Sequence, residues 1–207
     1  MYQVPQITDS VYYVGVNDRM KERFENVWSI PSGVAYNAYL IVDEKTTLID
    51  TVDVCYSDIF FHKLDFILQG RPVDYLIINH MEPDHGGSIG LLRQRYPDMQ
   101  IVGNKKTFDM LSGFHGITTD LHEVKSGDAL RIGSHEFSFL MAPMVHWPEV
   151  MFTYEQSNRL LFSADAFGSF GALSGHIFDS HLTDRQSYLE EMVRYYACVI
   201  GKYGPFV

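Results

Sequence analysis

Four side chains able to bind a metal ion, His80, Glu82, Asp84 and His85, fall within six residues of the stretch Asn79-His80-Met81-Glu82-Pro83-Asp84-His85-Gly86-Gly87. Imidazole nitrogens and carboxylate oxygens at this density point to metal chemistry without thiolate. Two further candidates stand apart in the sequence. His146 follows the apolar run 137–142 through a loop that contains Pro143, and Asp165 follows the run 160–164. Any one of these residues alone reads as a helix cap or a turn hydrogen bond. Together they read as one site, because each stands where a buried strand emerges and a rigid scaffold can aim it. Two or three imidazoles with three carboxylates exceed what one tetrahedral ion needs, so the set predicts two ions with a carboxylate between them. Mixed nitrogen and oxygen donors suit iron, manganese or zinc.

The apolar pattern supplies the elements that position these residues. Residues 73–78 form an apolar run that Pro83 and two glycines end, which predicts a strand delivering His80 at its C-terminal edge. Alternate residues of an extended segment share a side, so His80, Glu82 and Asp84 are expected to face one way, with His85 turned in at the glycines. Residues 10–16, 36–42, 46–51 and 99–103 read as strands, with a hairpin at Asp43-Glu44-Lys45. Residues 17–28 read as a loop with some helix. Helices are predicted over 57–69, N-capped by Ser57 or Asp58, over 87–95 and over 105–113. From Leu121 the pattern turns strand-rich, with runs at 121–124, 129–132, 137–142, 150–154 and 159–163. A last helix is expected over 184–202, opened by a capping box at Thr183-x-x-Gln186 and stopped by Gly204-Pro205. Strands and helices in both halves favour an α/β (α+β) αββα sandwich over a doubly wound sheet.

The composition fits a soluble globular chain with ample length for a core: 207 residues, 46% hydrophobic and 20% charged. A formal net charge of −10 argues against nucleic acid or an anionic membrane as partner. No apolar run approaches the ~20 residues that span a bilayer. Met1-Tyr2-Gln3-Val4-Pro5 shows no secretory pattern, and Cys55 and Cys198 lack CxxC spacing. The expectation is a cytoplasmic protein with two buried free thiols.

The string His80-x-Glu82-x-Asp84-His85, the distant His146 and Ser163-Ala164-Asp165-Ala166-Phe167-Gly168 resemble the metallo-β-lactamase-like domain of the flavodiiron proteins (A-type flavoproteins). Tyr36-Asn37-Ala38-Tyr39-Leu40 and Phe167-Gly168-Ser169-Phe170-Gly171-Ala172-Leu173 belong to the same resemblance, which runs across nearly the whole chain. Glu82 is its specific sign, since the hydrolytic branch of the superfamily usually has a second histidine there. The resemblance implies one metallo-β-lactamase-like domain over residues 1–207, a non-haem diiron site, and reduction of O2 to water or of NO to N2O. His80, Glu82 and His146 would bind one iron, Asp84 and His85 the other, with Asp165 bridging. It further implies FMN on a flavodoxin-like domain outside these residues or on a partner chain, an electron donor such as rubredoxin, and a head-to-tail homodimer.

Tyr195 and Tyr196 lie on the last helix, and one of them is expected to face the pocket and donate a hydrogen bond to the bound diatomic. Trp147 and Pro148 wall the pocket, and Phe167 and Phe170 line its mouth or meet the partner's flavin. The chain departs from the family in three respects. The final histidine ligand lies beyond the helix that ends this sequence, with His176 and His181 as weak substitutes, and the flavodoxin-like domain lies outside it too. Phe24-Glu25-Asn26-Val27-Trp28 lacks a histidine that many members carry near the metals. The alternatives are a stand-alone oxygen-binding or sensing protein, and a metal-dependent hydrolase, against which Glu82 weighs.

Overall fold

The computed structural model describes residues 4–206; Val207 and most of the Met1-to-Pro5 start, where no secretory pattern is read, lie outside the described residues. The first part of the chain runs β1 (Val11–Tyr13), β2 (Val16–Asp18), β3 (Arg23–Phe24), β4 (Trp28–Ser29), β5 (Val34–Tyr36), β6 (Tyr39–Val42), β7 (Thr46–Ile49) and α1 (Ser57–Leu68). The middle runs β8 (Tyr75–Ile77), α2 (Pro83–Gly86), α3 (Ile89–Arg95), β9 (Gln100–Gly103), α4 (Lys105–His115) and β10 (Leu121–Glu123). The last part runs β11 (Ala129–Ile132), β12 (His135–Met141), β13 (Met151–Glu155), β14 (Leu160–Phe162) and α5 (Arg185–Tyr195).

Two sheets carry the architecture. The first has six strands in the order β1-β6-β7-β8-β9-β10, and the second has four in the order β11-β12-β13-β14. In the first sheet β7, β8, β9 and β10 run parallel, linked by helical crossovers, while β1, β6 and β7 pair antiparallel. The second sheet is antiparallel throughout.

Alternation along the strands explains the layering. Ile41, Ile49, Ile77 and Val102 pack with Phe137, Phe139, Met151 and Phe162 between the sheets. Their chain neighbours Leu40, Leu48, Leu76 and Ile101 pack with Phe60, Leu64 and Leu68 of α1, Leu92 of α3 and Leu111 of α4. Successive side chains of a strand point to opposite faces, so each apolar pair seals two layers at once. Leu140 and Leu161, on the other face of the second sheet, are exposed. Among the described residues no helix is long and apolar enough to cross a membrane.

Several elements differ from the sequence reading. The single strand expected over 10–16 is two strands in different sheets, because the chain turns away at Val14 and Gly15; a Cβ on Gly15 would stand 2.3 Å from the Tyr36 carbonyl oxygen. The run 36–42 is likewise divided between β5 and β6. Residues 17–28 hold no helix; β3 and β4 form a short hairpin there. Tyr56, not Ser57 or Asp58, occupies the N-cap of α1, since a 3-10 turn capped by Asp53 leads straight into the helix. The run at 121–124 does not open the second sheet but adds β10 to the first, parallel to β9. Asp184 caps α5 by accepting the Ser187 N–H, and Gln186 instead bonds Glu190, so the capping box does not form. Past Tyr195 the helix widens into a π turn (Tyr196–Ile200) and then tightens into a 3-10 segment (Gly201–Phe206), which Gly204 and Pro205 do not stop. Both cysteines are free, but Cys55 is exposed and Cys198 only half-buried.

Candidate metal centre

The site lies at the C-terminal ends of β7 and β8, where parallel strands of an α/β sheet open toward ligands. β8 leads through Ile78 and Asn79 to His80. Asn79 is fastened on two sides: its N–H donates to Asp50 Oδ1 (2.7 Å), and its side-chain oxygen accepts the Thr153 hydroxyl (2.6 Å) of β13. Its carbonyl takes the Met151 N–H at 3.0 Å, so the start of the motif is tied to both sheets. Pro83 then sits in the first turn of α2, where its missing N–H costs nothing. The extended alternation predicted through Asp84 ends at Glu82, and the helical turn brings Asp84 and His85 to the site together. Thr51 holds that turn, donating both its N–H (2.8 Å) and its hydroxyl (2.6 Å) to the His85 carbonyl. Gly87 is required by space: a Cβ there would lie 2.5 Å from the Pro83 carbonyl oxygen and 2.9 Å from the Val54 nitrogen.

His80, Glu82, His146 and Asp165, all buried, offer donor atoms that lie within 4.8 Å of one another and can hold a metal ion. His146 Nε2 is 3.0 Å from Glu82 Oε2 and 3.1 Å from Asp165 Oδ2. His80 Nε2 is 3.3 Å from Glu82 Oε2 and 3.6 Å from Asp165 Oδ2. These separations bracket the ~3.4 Å edge of a tetrahedron whose donors stand ~2.1 Å from a central ion. The other oxygen of Asp165, Oδ1, faces His85 Nε2 at 2.9 Å, and His85 Nε2 is 3.9 Å from Asp84 Oδ2. Asp84 Oδ1 is buried without a hydrogen-bond partner, as expected of an oxygen reserved for a cation. The four donors can hold one ion, and His85 and Asp84 stand on the other side of Asp165.

The electrostatics follow from burying three carboxylates among three imidazoles. Burial pushes His80 and His146 down, but the opposing hydrogen bonds prevail: Glu149 and Glu82 hold His80 up at about 9, and Asp165 and Glu82 hold His146 up at about 10. His85 is raised well above its usual value against burial, by Asp165 and Asp84. Burial works to raise Glu82, yet hydrogen bonds from His146 and His80 bring it to about 2. Asp165 is held well below the ordinary range, its burial overcome by His85 and His146. Asp84, whose Oδ1 has no hydrogen-bond partner among the described residues, is pushed by burial up to about 7.

The remaining predicted residues divide. Tyr195 is buried, and its phenol reaches Asp165; burial and the Asp165, Asp84 and Glu82 charges raise its pKa well above the ordinary value. Gly168 makes room for it, since a Cβ there would come within 2.8 Å of the Tyr195 ring. Tyr196 is half exposed and turns toward Gly201 and Gly204 instead. Trp147 packs edge-on against His80, with ring centroids 5.3 Å apart. Phe167 is exposed, with Phe152 at 6.5 Å. Phe170 does not line a mouth: it is buried behind Tyr195, 5.0 Å from that ring and 5.7 Å from Phe24. His176 and His181 pair with each other at 4.7 Å, on the 3-10 turn and loop that precede α5.

Three acidic residues to which the sequence reading gives no role belong here. Glu149 is fully buried and accepts from His80 Nδ1 (2.7 Å) and the Met81 N–H (2.8 Å), which leaves His80 Nε2 to face the site. Asp50 supports the motif through Asn79, and its Oδ2 stands 3.7 Å from His85 Nδ1. Glu25, on the β3–β4 turn, has its carboxyl raised by burial and by Glu82, with which it is in hydrogen-bonding reach. The sequence offers a signal for two of them: Asp50 ends a strand beside the one that delivers His80, and Glu149 lies three residues past His146.

Known proteins share this architecture. A nitric oxide reductase of Moorella thermoacetica is 36% identical, over 100% of this chain and 52% of its own length. The rubredoxin oxygen:oxidoreductase of Desulfovibrio gigas superposes with a TM-score of 0.93 at 31% identity, over 99% of this chain and 51% of that one. The flavodiiron protein of Giardia intestinalis superposes with a TM-score of 0.93 at 26% identity, over 100% of this chain and 50% of that one. The chain thus spans about half the length of the relatives it matches. The fold is metallo-β-lactamase-like, and the model of the ODP family beta lactamases matches residues 34–201. The chain belongs to that family, and its domain is the one it shares with the flavodiiron proteins.

Proposed function

We propose that residues 1–207 are the dinuclear metal domain of an oxidoreductase that reduces O2 or NO, with two iron ions as its cofactor. In this reading His80, Glu82 and His146 hold one ion, Asp84 and His85 the other, and Asp165 bridges. The observation that carries it is the divided carboxylate of Asp165, whose Oδ2 faces His146 at 3.1 Å while Oδ1 faces His85 at 2.9 Å. Two iron ions held by these residues would supply the redox chemistry that a small diatomic substrate needs.

The side chains around the ions have separate tasks. Glu149 fixes the tautomer and direction of His80. Tyr195 keeps its phenolic proton, because burial and the neighbouring carboxylates disfavour the phenolate, and so it stays an O–H donor beside Asp165. Trp147 packs on His80 and screens it from water. The relatives' names point both ways on substrate, one naming nitric oxide and another oxygen. Electrons are proposed to arrive through FMN, on a flavodoxin-like domain outside these residues or on a partner chain, from a donor such as rubredoxin. A head-to-tail homodimer in the cytoplasm completes the reading, with exposed Phe167 available to the partner's flavin.

The test is anaerobic reconstitution of the full chain with ferrous iron, followed by reaction with NO or O2 and reduced FMN as artificial donor. The expected result is two irons per chain and consumption of at least one of the two gases. Retention of two zinc ions in preference to iron, with hydrolysis of amide or ester substrates instead, overturns the proposal.

A further inference from the structure

A cleft of about 330 Å³ lies where the start of α4, the end of β10 and the loop after β12 meet. Its floor is apolar: Val124 and Val150 are buried, with Met141 and Pro148 half-buried beside them. Three lysines stand at its rim, Lys105 and Lys106 on the first turn of α4 and Lys125 just past β10, and Glu123 is the one acid among the lining residues. The chain has 26 acidic side chains against 16 lysines and arginines, so a basic rim runs against its composition. Lys105 is held by Asp109 at 3.1 Å. The other lysine ion pairs among the described residues are Lys21 with Asp53 and Lys45 with Asp74, so Lys106 and Lys125 have no acidic partner of their own there. The walls are fixed in advance. Asn104 Oδ1 accepts the Lys106 and Thr107 N–H groups and so caps α4, while its Nδ2 donates to the Glu149 carbonyl at 2.6 Å. The Ala142 N–H meets the Val150 carbonyl at 2.9 Å and closes the loop that carries Pro143 and Pro148. A preformed apolar hollow with a few charged groups at its edge has the build of a small-molecule site.

We propose that this cleft binds a small organic anion with an aromatic body, its rings on the floor of Met141, Pro148 and Val150 and its anionic head among Lys105, Lys106 and Lys125. Burying the rings against apolar side chains supplies most of the attraction. The thioether of Met141 favours an aromatic ring over an alkyl chain. Lysine ammonium groups on flexible stems act as point charges, so a carboxylate, a sulfonate or a phosphate serves equally as the head. The volume stands at the lower end of the roughly 300–1,000 Å³ of ordinary ligand pockets, which limits the body to a few rings. None of His80, Glu82, His146 and Asp165 lines the cleft, so the site is separate from the metal centre, although His146 lies on the loop that forms one wall.

The test titrates the full chain with anilinonaphthalene sulfonate, read by fluorescence, beside phenylnaphthylamine, which has the same rings without the charge. Wild type, Lys106→Glu, Lys125→Glu and Lys202→Glu are compared, all at exposed positions, with circular dichroism to establish that each is folded. The sulfonate is expected to saturate one site per chain with a Kd on the order of tens of micromolar, and to bind more weakly as salt is added. Lys106→Glu and Lys125→Glu should each weaken it by about 3- to 10-fold, the range for reversing one surface charge, and weaken the neutral analogue by less than about twofold. Lys202→Glu, which does not line the cleft, should change neither. Naphthoate should displace the sulfonate, and octanoate should not. No saturable binding to wild type, binding unchanged in both cleft variants, or equal weakening by Lys202→Glu overturns the site. Displacement by octanoate as readily as by naphthoate overturns the aromatic preference.

Discussion

Replacing Glu149 separates the strength of the site from its ligands. Glu149 is fully buried, and one oxygen, Oε1, accepts from both His80 Nδ1 (2.7 Å) and the Met81 N–H (2.8 Å). Its other oxygen has no partner among the described residues. In Glu149→Gln the amide oxygen still accepts both hydrogens, but the negative charge is gone. A hydrogen bond to a charged group contributes about 1.5–3 kcal/mol and a neutral one about 0.5–1.5, so the loss is on the order of 1–1.5 kcal/mol. That is close to tenfold in affinity, since about 1.4 kcal/mol is one decade. Glu149→Ala removes both acceptors and belongs at the upper end of the ~10- to 100-fold range for such residues. The effect must fall on one ion, because Glu149 touches His80 and neither Asp84 nor His85. Chelator competition resolved into two binding steps is the assay. Glu149→Gln with both steps within about twofold of wild type refutes the assigned role. Equal weakening of both steps refutes the division of ligands across Asp165.

Two further outcomes concern the frame around the site. Burial lowers Lys63 from an ordinary value near 10.5 to about 8. Between those values the unfolded chain keeps a proton that the folded chain has lost, so stability rises as pH increases across that window. The full difference corresponds to about 3 kcal/mol, reduced to about 1–2 because the ammonium keeps part of its solvent. Urea midpoints at pH 7.5 and 10 should therefore diverge between wild type and Lys63→Met, and parallel curves would sink the argument. Gly87→Ala should cost about 1–3 kcal/mol by forcing the new Cβ against the Pro83 carbonyl oxygen and the Val54 nitrogen, with weaker metal uptake at Asp84 and His85. Gly113→Ala, in α4 with nothing within 4 Å of the new Cβ, should instead gain about 0.5–1 kcal/mol, and melting curves that rank the two the other way round would contradict the packing.

The parts of the fold and site that the sequence made legible share one property: residue type, spacing and backbone preference agree. His80, Glu82, Asp84 and His85 advertise themselves by density, and Asp165 and His146 by standing past apolar runs. Strands β6 to β9 alternate as buried strands should, and α1 repeats its apolar side chains at helical spacing. β3 and β4 failed that test, since two-residue strands carry no period to read. Glu25 was hidden with them. Pro83 was available as a helix-start signal, but the glycines after it suggested a plain turn.

The rest was illegible because the backbone at the site opposes what its residues prefer. Asp50, Met144 and Ala164 are non-glycine residues in the left-handed region, with φ of 55°, 70° and 46°. Each such residue costs on the order of 1–3 kcal/mol and persists only where its surroundings fix it. Asp50 is fixed by accepting the Asn79 N–H, which ties the ends of β7 and β8 together ahead of His80. Ala164 lies within the tight turn in which the Ala166 N–H meets the Ser163 carbonyl and the Gly168 N–H meets the Asp165 carbonyl. Met144 is held by its N–H to the Trp147 carbonyl, in the loop that presents His146. All three strained positions stand beside a donor loop, so local preference misleads where the site is most constrained.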